Sequence, residues 1–429
     1  MLVAVQTAAY CQNESAVKAS KPPANSSPHD LLIVELAPNA DRDEFDQLLQ
    51  EVSGKVINTM SAGPSLKFLV VQSEPGKVAE IEKKLSKSKS VSLIERNQIC
   101  RIDQEDFFPE GHGIGHGSLT GHGGHGLRSS RGIVPNDRFF LSQWDLAFMQ
   151  FLPARSLGLQ FNGPVCMYFL DTGYAPSIDS PFVVAQYNFA DPFNPTGARE
   201  RPFDTGFHGT ATATVACSTN NKVGYAGLAN FNSNRCILTE CRISADGQGA
   251  GLVNILAALT SLSQAQGLTP GPINISFGTV APNPTLNSNQ MLQQVAAVLK
   301  QNGFLVVLAA GNDGIFDSSQ EQSARRVASI NILGNISNFS NTGNFPAAAP
   351  GESVPVYFDL QPGREFFASG TSFSAPRWSA AIADVMAVLS PANRTASFAD
   401  NILINTGTLN PQGFVIPNLQ TALQTAVGQ

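Results

Sequence analysis

Two unbroken apolar runs, Val165–Leu170 and Phe304–Ala310, constrain the fold of this chain more than any other feature. A strand without polar alternation has to be covered on both faces, as a parallel strand between helix layers is. The sequence around them supplies those layers. Leu252–Leu262 reads as a helix leading into a strand at Pro272–Gly278. Met291, Leu292, Val295, Val298 and Leu299 mark another helix, capped by Gly303, and Ile237–Ile243 reads as a further strand. From about residue 133 to 429 the chain therefore reads as an α/β domain with a mostly parallel central sheet.

The first hundred residues are different in kind. They hold nine of the eleven lysines, and only Lys222 and Lys300 follow. Asp30–Leu36 reads as a strand, and Phe45, Leu48, Leu49 and Val52 fall on one helical face with Gly54 as its cap. Lys55–Met60 and Leu66–Gln72 read as a strand pair, Val78, Ile81 and Leu85 as a second helix, and Val91–Glu95 as a last strand. The order βαββαβ over residues 30–104 is the ferredoxin-like arrangement, a small unit with two helices on one face of a four-stranded sheet. Residues 105–132 are rich in Gly and His, with His112, His116, His122 and His125 interspersed among glycines. Such glycine density does not offset its ordering entropy, so a solvated, flexible linker is expected. The four histidines also have the chemistry to bind a transition metal or to sense pH, but no carboxylate or Cys completes a ligand set. Residues 1–29 begin with the mildly apolar Leu2–Cys11, without a basic flank; a secretory-signal remnant and a disordered start both stay open.

Composition excludes several classes. Charged residues make up 14% of the chain, below the roughly 25% of an average globular protein. The net charge is −6 with no basic block, which argues against nucleic acid as a partner. No apolar run approaches the ~20 residues of a membrane span. The six cysteines form no CxxC pair, so a zinc framework is not expected. Cys166, Cys217 and Cys241 sit in apolar segments and read as small core residues; one disulfide stays open, with no pairing assignable.

The chemistry concentrates where strands end. Asp171 follows directly on Val165–Leu170, and open α/β sheets place ligands at the carboxyl ends of strands. Taken alone it reads as a turn Asp before Thr-Gly. His208 is the single histidine after Leu127, so imidazole chemistry in this half of the chain has one candidate. Ser372 precedes an apolar helix read as Ser374–Leu389, with Pro376 in its first turn. By itself this Ser would be an N-cap. Its position also turns helix N–H groups toward developing negative charge. Asn312 follows the second apolar run and brings an amide donor to the same sheet edge, where a glycine-flanked turn is the plain reading. Nucleophile, base and orienting carboxylate are the three parts that acyl transfer needs.

Four segments carry a resemblance: Asp171-Thr-Gly173, His208-Gly-Thr210, Ala309-Ala-Gly-Asn312 and Gly370-Thr-Ser-Phe-Ser-Ala-Pro376, in that order. With Asn338–Gly343, Ala348–Gly351 and the start Asn136–Phe140 with Gln143-Trp144, the chain resembles the subtilases, the subtilisin-like serine proteases, over nearly its whole length. The resemblance implies a three-layer subtilisin-like domain preceded by an inhibitory propeptide. It implies Ser372 as nucleophile, His208 as general base and then acid, Asp171 as the orienting carboxylate and Asn312 as the oxyanion amide. Ser276, Phe277 and Gly278 match the family's substrate-pairing strand, and Ala310 and Gly311 its neighbouring wall; strand addition of this kind binds substrate backbone. Calcium sites are frequent in the family, but no Asp cluster here is assignable to one, and no cofactor is expected to be required.

Departures are visible too. The His motif runs His-Gly-Thr-Ala-Thr-Ala without the family's frequent second His, the Ser motif continues Pro376-Arg-Trp-Ser, and Ile315–Asn335 matches the family's pocket region poorly. An α/β-hydrolase would place its His after the Ser, and none follows His208. Sedolisins use Glu in place of the His. The remaining alternative is a catalytically silent subtilase-like scaffold retained for binding. The expectation is a secreted or exported monomeric endopeptidase acting on proteins or peptides. It would be made as a zymogen whose residues 30–104 inhibit in cis, with Asn97–Asp103 directed into the cleft. A base such as His208 also implies activity falling below about pH 6–7.

Overall fold

The computed structural model describes residues 27–102, 108–109, 134–159, 161–176, 179, 182–193, 204, 207–229, 236–279, 285–357, 365–427 and 429. Residues 1–26 of the N-terminal segment and the four linker histidines lie outside them.

The first unit runs β1 (Leu31–Leu36), α1 (Arg42–Glu51), β2 (Lys55–Ala62), β3 (Leu66–Gln72), α2 (Val78–Leu85) and β4 (Val91–Arg96). Its sheet order β2-β3-β1-β4 is antiparallel throughout, the ferredoxin-like topology. Strand alternation splits β1 between two cores. Leu32 and Val34 pack with Phe45, Leu49, Ile81 and Leu85 under the helices. Leu31 and Ile33 face the other way, into a core shared with the larger domain. The left-handed residue ending α1 is Ser53, not Gly54; Gly54 donates its N–H to Leu49 O at 2.8 Å. Two short strands follow, β5 (Ile99–Arg101) and β6 (Phe108–Pro109).

The larger domain opens with α3 (Trp144–Phe148) and α4 (Phe151–Arg155). It continues β7 (Val165–Asp171), β8 (Phe182–Asn188), α5 (His208–Cys217), β9 (Cys236–Arg242), β10 (Gly249–Gly251), α6 (Leu252–Gln264), β11 (Pro272–Ile275), β12 (Gly278–Thr279) and α7 (Gln290–Gln301). Then come β13 (Leu305–Ala309), β14 (Phe316–Gln320), β15 (Arg325–Ile330), β16 (Thr342–Asn344), β17 (Ala347–Pro350), β18 (Val354–Val356) and β19 (Phe366–Ala368). The chain closes with α8 (Thr371–Val388), α9 (Ala396–Thr406), β20 (Thr408–Leu409), β21 (Val415–Ile416) and α10 (Leu419–Val427). Nine strands make the central sheet in the order β20-β21-β17-β15-β13-β11-β7-β9-β8, and only the β20–β21 pair is antiparallel.

The apolar runs do what their composition requires. Met167, Phe169, Leu305 and Val307 face the α8 side, while Tyr168, Leu170, Val306 and Leu308 face α6 and α7. Every residue of α8 is buried. That helix begins at Thr371, three residues before the sequence reading, so Pro376 is interior rather than first-turn. The cysteine reading is corrected as well. Cys217, at the end of α5, is bonded to Cys236 at the start of β9, while Cys166 and Cys241 carry free thiols.

Candidate active site

Asp171 is the last residue of β7, an interior strand of the sheet, and is fully buried. Its Oδ1 accepts from the Thr172 N–H at 2.8 Å and lies 2.6 Å from His208 Nδ1, while Oδ2 accepts from Thr212 Oγ1 at 3.1 Å. Donors on both oxygens fix the carboxylate's plane. His208, 2% exposed, starts α5 from a backbone turned by Phe207 at φ 58. The two motifs touch so closely that a Cβ at Gly209 would collide with the Gly173 carbonyl. This is why glycine follows the histidine.

A residue to which the sequence assigned no role holds these turns together. Asp204 accepts from Thr172 Oγ1 at 2.6 Å through one oxygen, and from the Thr210 N–H at 2.8 Å and Thr210 Oγ1 at 2.5 Å through the other. Thr172 Oγ1 in turn accepts from the Gly209 N–H at 2.9 Å. One buried carboxylate thus ties the Asp171 turn to the His208 turn.

Ser372 is the second residue of α8 and 3% exposed. Its hydroxyl donates to the Ser276 carbonyl at 3.3 Å, and Ser276 Oγ donates back to the Ser372 carbonyl at 2.9 Å. Pro376 explains the second bond. It has no N–H to donate to the carbonyl four residues earlier, so that carbonyl needs another donor. Asn274 Nδ2 donates to Ser276 Oγ at 2.9 Å and orients it. His208 stands between the aromatic rings that follow these two serines, with centroids 6.0 Å from Phe277 and 6.3 Å from Phe373. The fold therefore brings Asp171, His208, Ser276 and Ser372 to one place.

Asn312, just beyond β13, accepts from the Thr371 N–H and from Thr371 Oγ1, both at 2.9 Å. Its amide oxygen is thereby turned to the start of α8, which sets the direction of Nδ2. Gly311 donates to the same Thr371 hydroxyl at 3.1 Å. Thr371 thus links the Asn312 turn to the residue before Ser372. The departure Arg377 is fully buried: its Nε donates to Asp145 at 2.7 Å and its Nη1 to the Phe373 carbonyl at 3.0 Å.

Of the expected substrate wall, Gly278, Ala310 and Gly311 line one cavity together with Arg326. Ser276 and Phe277 lie between β11 and β12. Strand β5 fills the gap between β10 and β12, antiparallel to both, with Arg101 opposite Gly249 and Gly278 and Cys100 opposite Ala250 and Thr279. Two side chains beside it cap helices of the larger domain. Glu95 accepts from Asn289 Nδ2 at 2.7 Å and from the Gln290 N–H at 3.1 Å at the start of α7, and Asn97 accepts from the Val253 N–H at 2.9 Å at the start of α6. Burial raises the Glu95 pKa, opposed by the N–H donors of α7.

Among the described residues, no group of three or more His, Cys, Asp or Glu side chains is arranged to hold a metal ion, and no helix is long and apolar enough to cross a membrane.

Comparison with known proteins agrees with this fold. The subtilase family model matches residues 110–420. Fervidolysin from Fervidobacterium pennivorans, a keratinolytic enzyme related to subtilisin, superposes with a TM-score of 0.65 at 16% identity over 95% of this chain and 62% of its own. The epidermin leader peptide processing serine protease of Staphylococcus aureus gives 0.62 at 17% identity over 92% and 98% of the two chains. A protease from Pseudoalteromonas arctica PAMC 21717 gives 0.54 at 22% identity over 68% and 99%. Sequence comparison with curated proteins finds no match. The chain belongs to the subtilase family and is a serine-type peptidase.

Proposed function

We propose that the protein is a serine endopeptidase that hydrolyses peptide bonds through an acyl-enzyme on Ser372. The observation that carries this reading is the 2.6 Å contact between His208 Nδ1 and a fully buried, donor-saturated Asp171, beside the first turn of α8. With Nδ1 turned to the carboxylate, Nε2 takes the Ser372 proton as that oxygen attacks, then delivers it to the leaving amine. Asp171 holds the ring and stabilises the imidazolium. The oxyanion lies between the Asn312 amide and the N–H groups that open α8. No cofactor enters the scheme.

The same reading makes residues 30–104 a cis inhibitor and folding aid, removed autocatalytically, and the mature enzyme a secreted or exported monomer. It is supported by β5 lying where an extended substrate would add to β10 and β12. Ser372→Ala tests both parts: the variant should stay full length and lose turnover of casein and labelling by a fluorophosphonate, while wild type shortens by about a quarter. Unchanged turnover in a clean Ser372→Ala preparation would sink the peptidase reading. Maturation of the variant in a protease-deficient host would sink autoprocessing. An unlabelled wild type would favour the silent scaffold.

A further inference from the structure

His208 opens α5, yet the residue before it cannot cap that helix: Phe207 has no side-chain acceptor to offer the N–H groups of the first turn. Asp204 and Thr172 take over that task. Asp204 accepts from the Thr210 N–H at 2.8 Å and the Thr210 hydroxyl at 2.5 Å through one oxygen, and from the Thr172 hydroxyl at 2.6 Å through the other. Because the Thr172 proton goes to Asp204, the oxygen of that hydroxyl is left to accept from the Gly209 N–H, at 2.9 Å. The Thr210 oxygen is committed in the same way and accepts from the Ala175 N–H at 3.0 Å. Thr172 meanwhile gives its own N–H to Asp171 Oδ1, the oxygen 2.6 Å from His208 Nδ1. Both threonine hydroxyls thus bridge the Asp171 turn and the start of α5, and both take their direction from Asp204.

Charge adds to this geometry. Asp204 is fully buried, as Asp171 is. A third carboxyl, Glu240 of β9, feels both charges, but its oxygens are buried without a donor. Burial first, then Asp171 and Asp204, hold its pKa well above the usual range. It stays neutral. Besides His208, α5 carries no ionisable side chain but the disulfide-bonded Cys217, and Arg377 of α8 is paired with Asp145. Two buried carboxylates therefore flank the turn that carries the imidazole, and negative charge close by favours its protonated form.

Resting on the peptidase reading above, we propose that Asp204 is a positioning residue for the reaction: it caps the helix that begins with His208, locks that helix to the Asp171 turn, and adds its charge to that of Asp171 in stabilising the imidazolium. It touches neither substrate nor the reacting atoms. Its effect passes through the Thr172 and Thr210 hydroxyls to the aim of the His208 ring, and through its field to the ring's basicity.

The test compares full-length chains expressed alike, with kcat and KM taken per serine titrated by the fluorophosphonate. Asp204→Asn keeps the size but removes the charge and turns N–H donors toward one of the threonines. It should lower kcat by about 10–100-fold with little change in KM, as a misaimed catalytic group does. The acid limb of its kcat/KM profile should move to lower pH by about half a unit or more, because the imidazolium has lost a neighbouring charge. Thr172→Val removes a hydroxyl but no charge, so kcat should fall while the acid limb stays in place; Thr172→Ser, which keeps the hydroxyl, should restore most of kcat. Wild-type kcat or an unmoved acid limb in Asp204→Asn overturns the proposal. So does a Thr172→Ser enzyme no better than Thr172→Val, and this pair decides even where Asp204→Asn does not fold. If wild type reacts with the fluorophosphonate and cuts casein while Asp204→Asn matches it, this inference alone fails. If the wild-type serine is unreactive, the peptidase reading fails and takes the inference with it.

Discussion

Replacing Asp145 by Ala removes the only anion in contact with Arg377 among the described residues. Both side chains are 1% exposed, and the pair is closed by Nε at 2.7 Å with Nη2 2.6 Å from the same oxygen. After the change the guanidinium keeps only the Phe373 carbonyl, at 3.0 Å. Breaking a buried pair on one side costs about 3–5 kcal/mol, because the remaining charge is left without compensation. For a domain of this size each kcal/mol moves Tm by about 2–3 °C, so a fall of roughly 6–15 °C is expected. The measurement is thermal unfolding of Asp145→Ala in the Ser372→Ala background, where self-digestion cannot intrude. The double change Asp145→Leu with Arg377→Met should recover most of the loss, giving a coupling of about 2 kcal/mol or more. A fall below about 1 kcal/mol, or additive single changes, would refute the reasoning that Arg377 depends on this partner.

Two further outcomes follow from the buried polar groups. Ser276→Ala removes the donor to the carbonyl that Pro376 leaves open, at a cost of about 1–3 kcal/mol; kcat should fall by about tenfold with a smaller change in KM, and a variant with wild-type kcat would show that the bond does not position Ser372. Burial raises the carboxyls of Glu240, Asp179 and Asp384: Glu240 and Asp384 well above the usual range, Asp179 to about 8. Such groups keep their proton in the folded state while the unfolded chain ionises near pH 4, so stability should fall as pH rises from about 4 toward 8. Urea midpoints of Ser372→Ala should show that slope, and Glu240→Gln should lessen it; a midpoint rising across the window would count against the assignment.

Much of this was legible in the sequence because the motifs are governed by local demands. A parallel strand buried on both faces has to be a continuous apolar run; Asp171 follows such a run directly, and Asn312 follows another after one residue. Gly209 has no room for a Cβ, so the spacing of the His motif is fixed by contact with Gly173. What stayed hidden depends on pairs distant in the chain. Ser276 and Ser372 are 96 residues apart, and nothing in either segment announces that Pro376 makes one the donor to the other. The start of α8 was misplaced for the same reason: an interior Pro is tolerated once a partner outside the helix satisfies the orphaned carbonyl. Asp204 reads as an ordinary turn residue until Thr172 and Thr210 converge on it. Arg326 lies in the stretch that matches the family's pocket region least, and its burial against Asp317 and the Ser319 carbonyl depends on a turn that the sequence does not announce.

Helix α8 shows why the site belongs to the assembled domain rather than to its motifs. It carries Ser372, yet it also contains a proline, a buried arginine and a buried tryptophan N–H, each costly in isolation. Ser276 answers the first, Asp145 the second, and Asp400, accepting from Trp378 at 2.8 Å, the third. One of these three partners, Ser276, follows β11, the strand that α6 leads into. Asn97 caps α6 and Glu95 caps α7, and residues of β1, β2 and β3 share a core with both helices. Stabilising those two helix ends stabilises the layer that fixes β11, and through it the serine that holds the Ser372 carbonyl. This chain of contacts is the physical basis on which a folding-aid role for residues 30–104 is proposed.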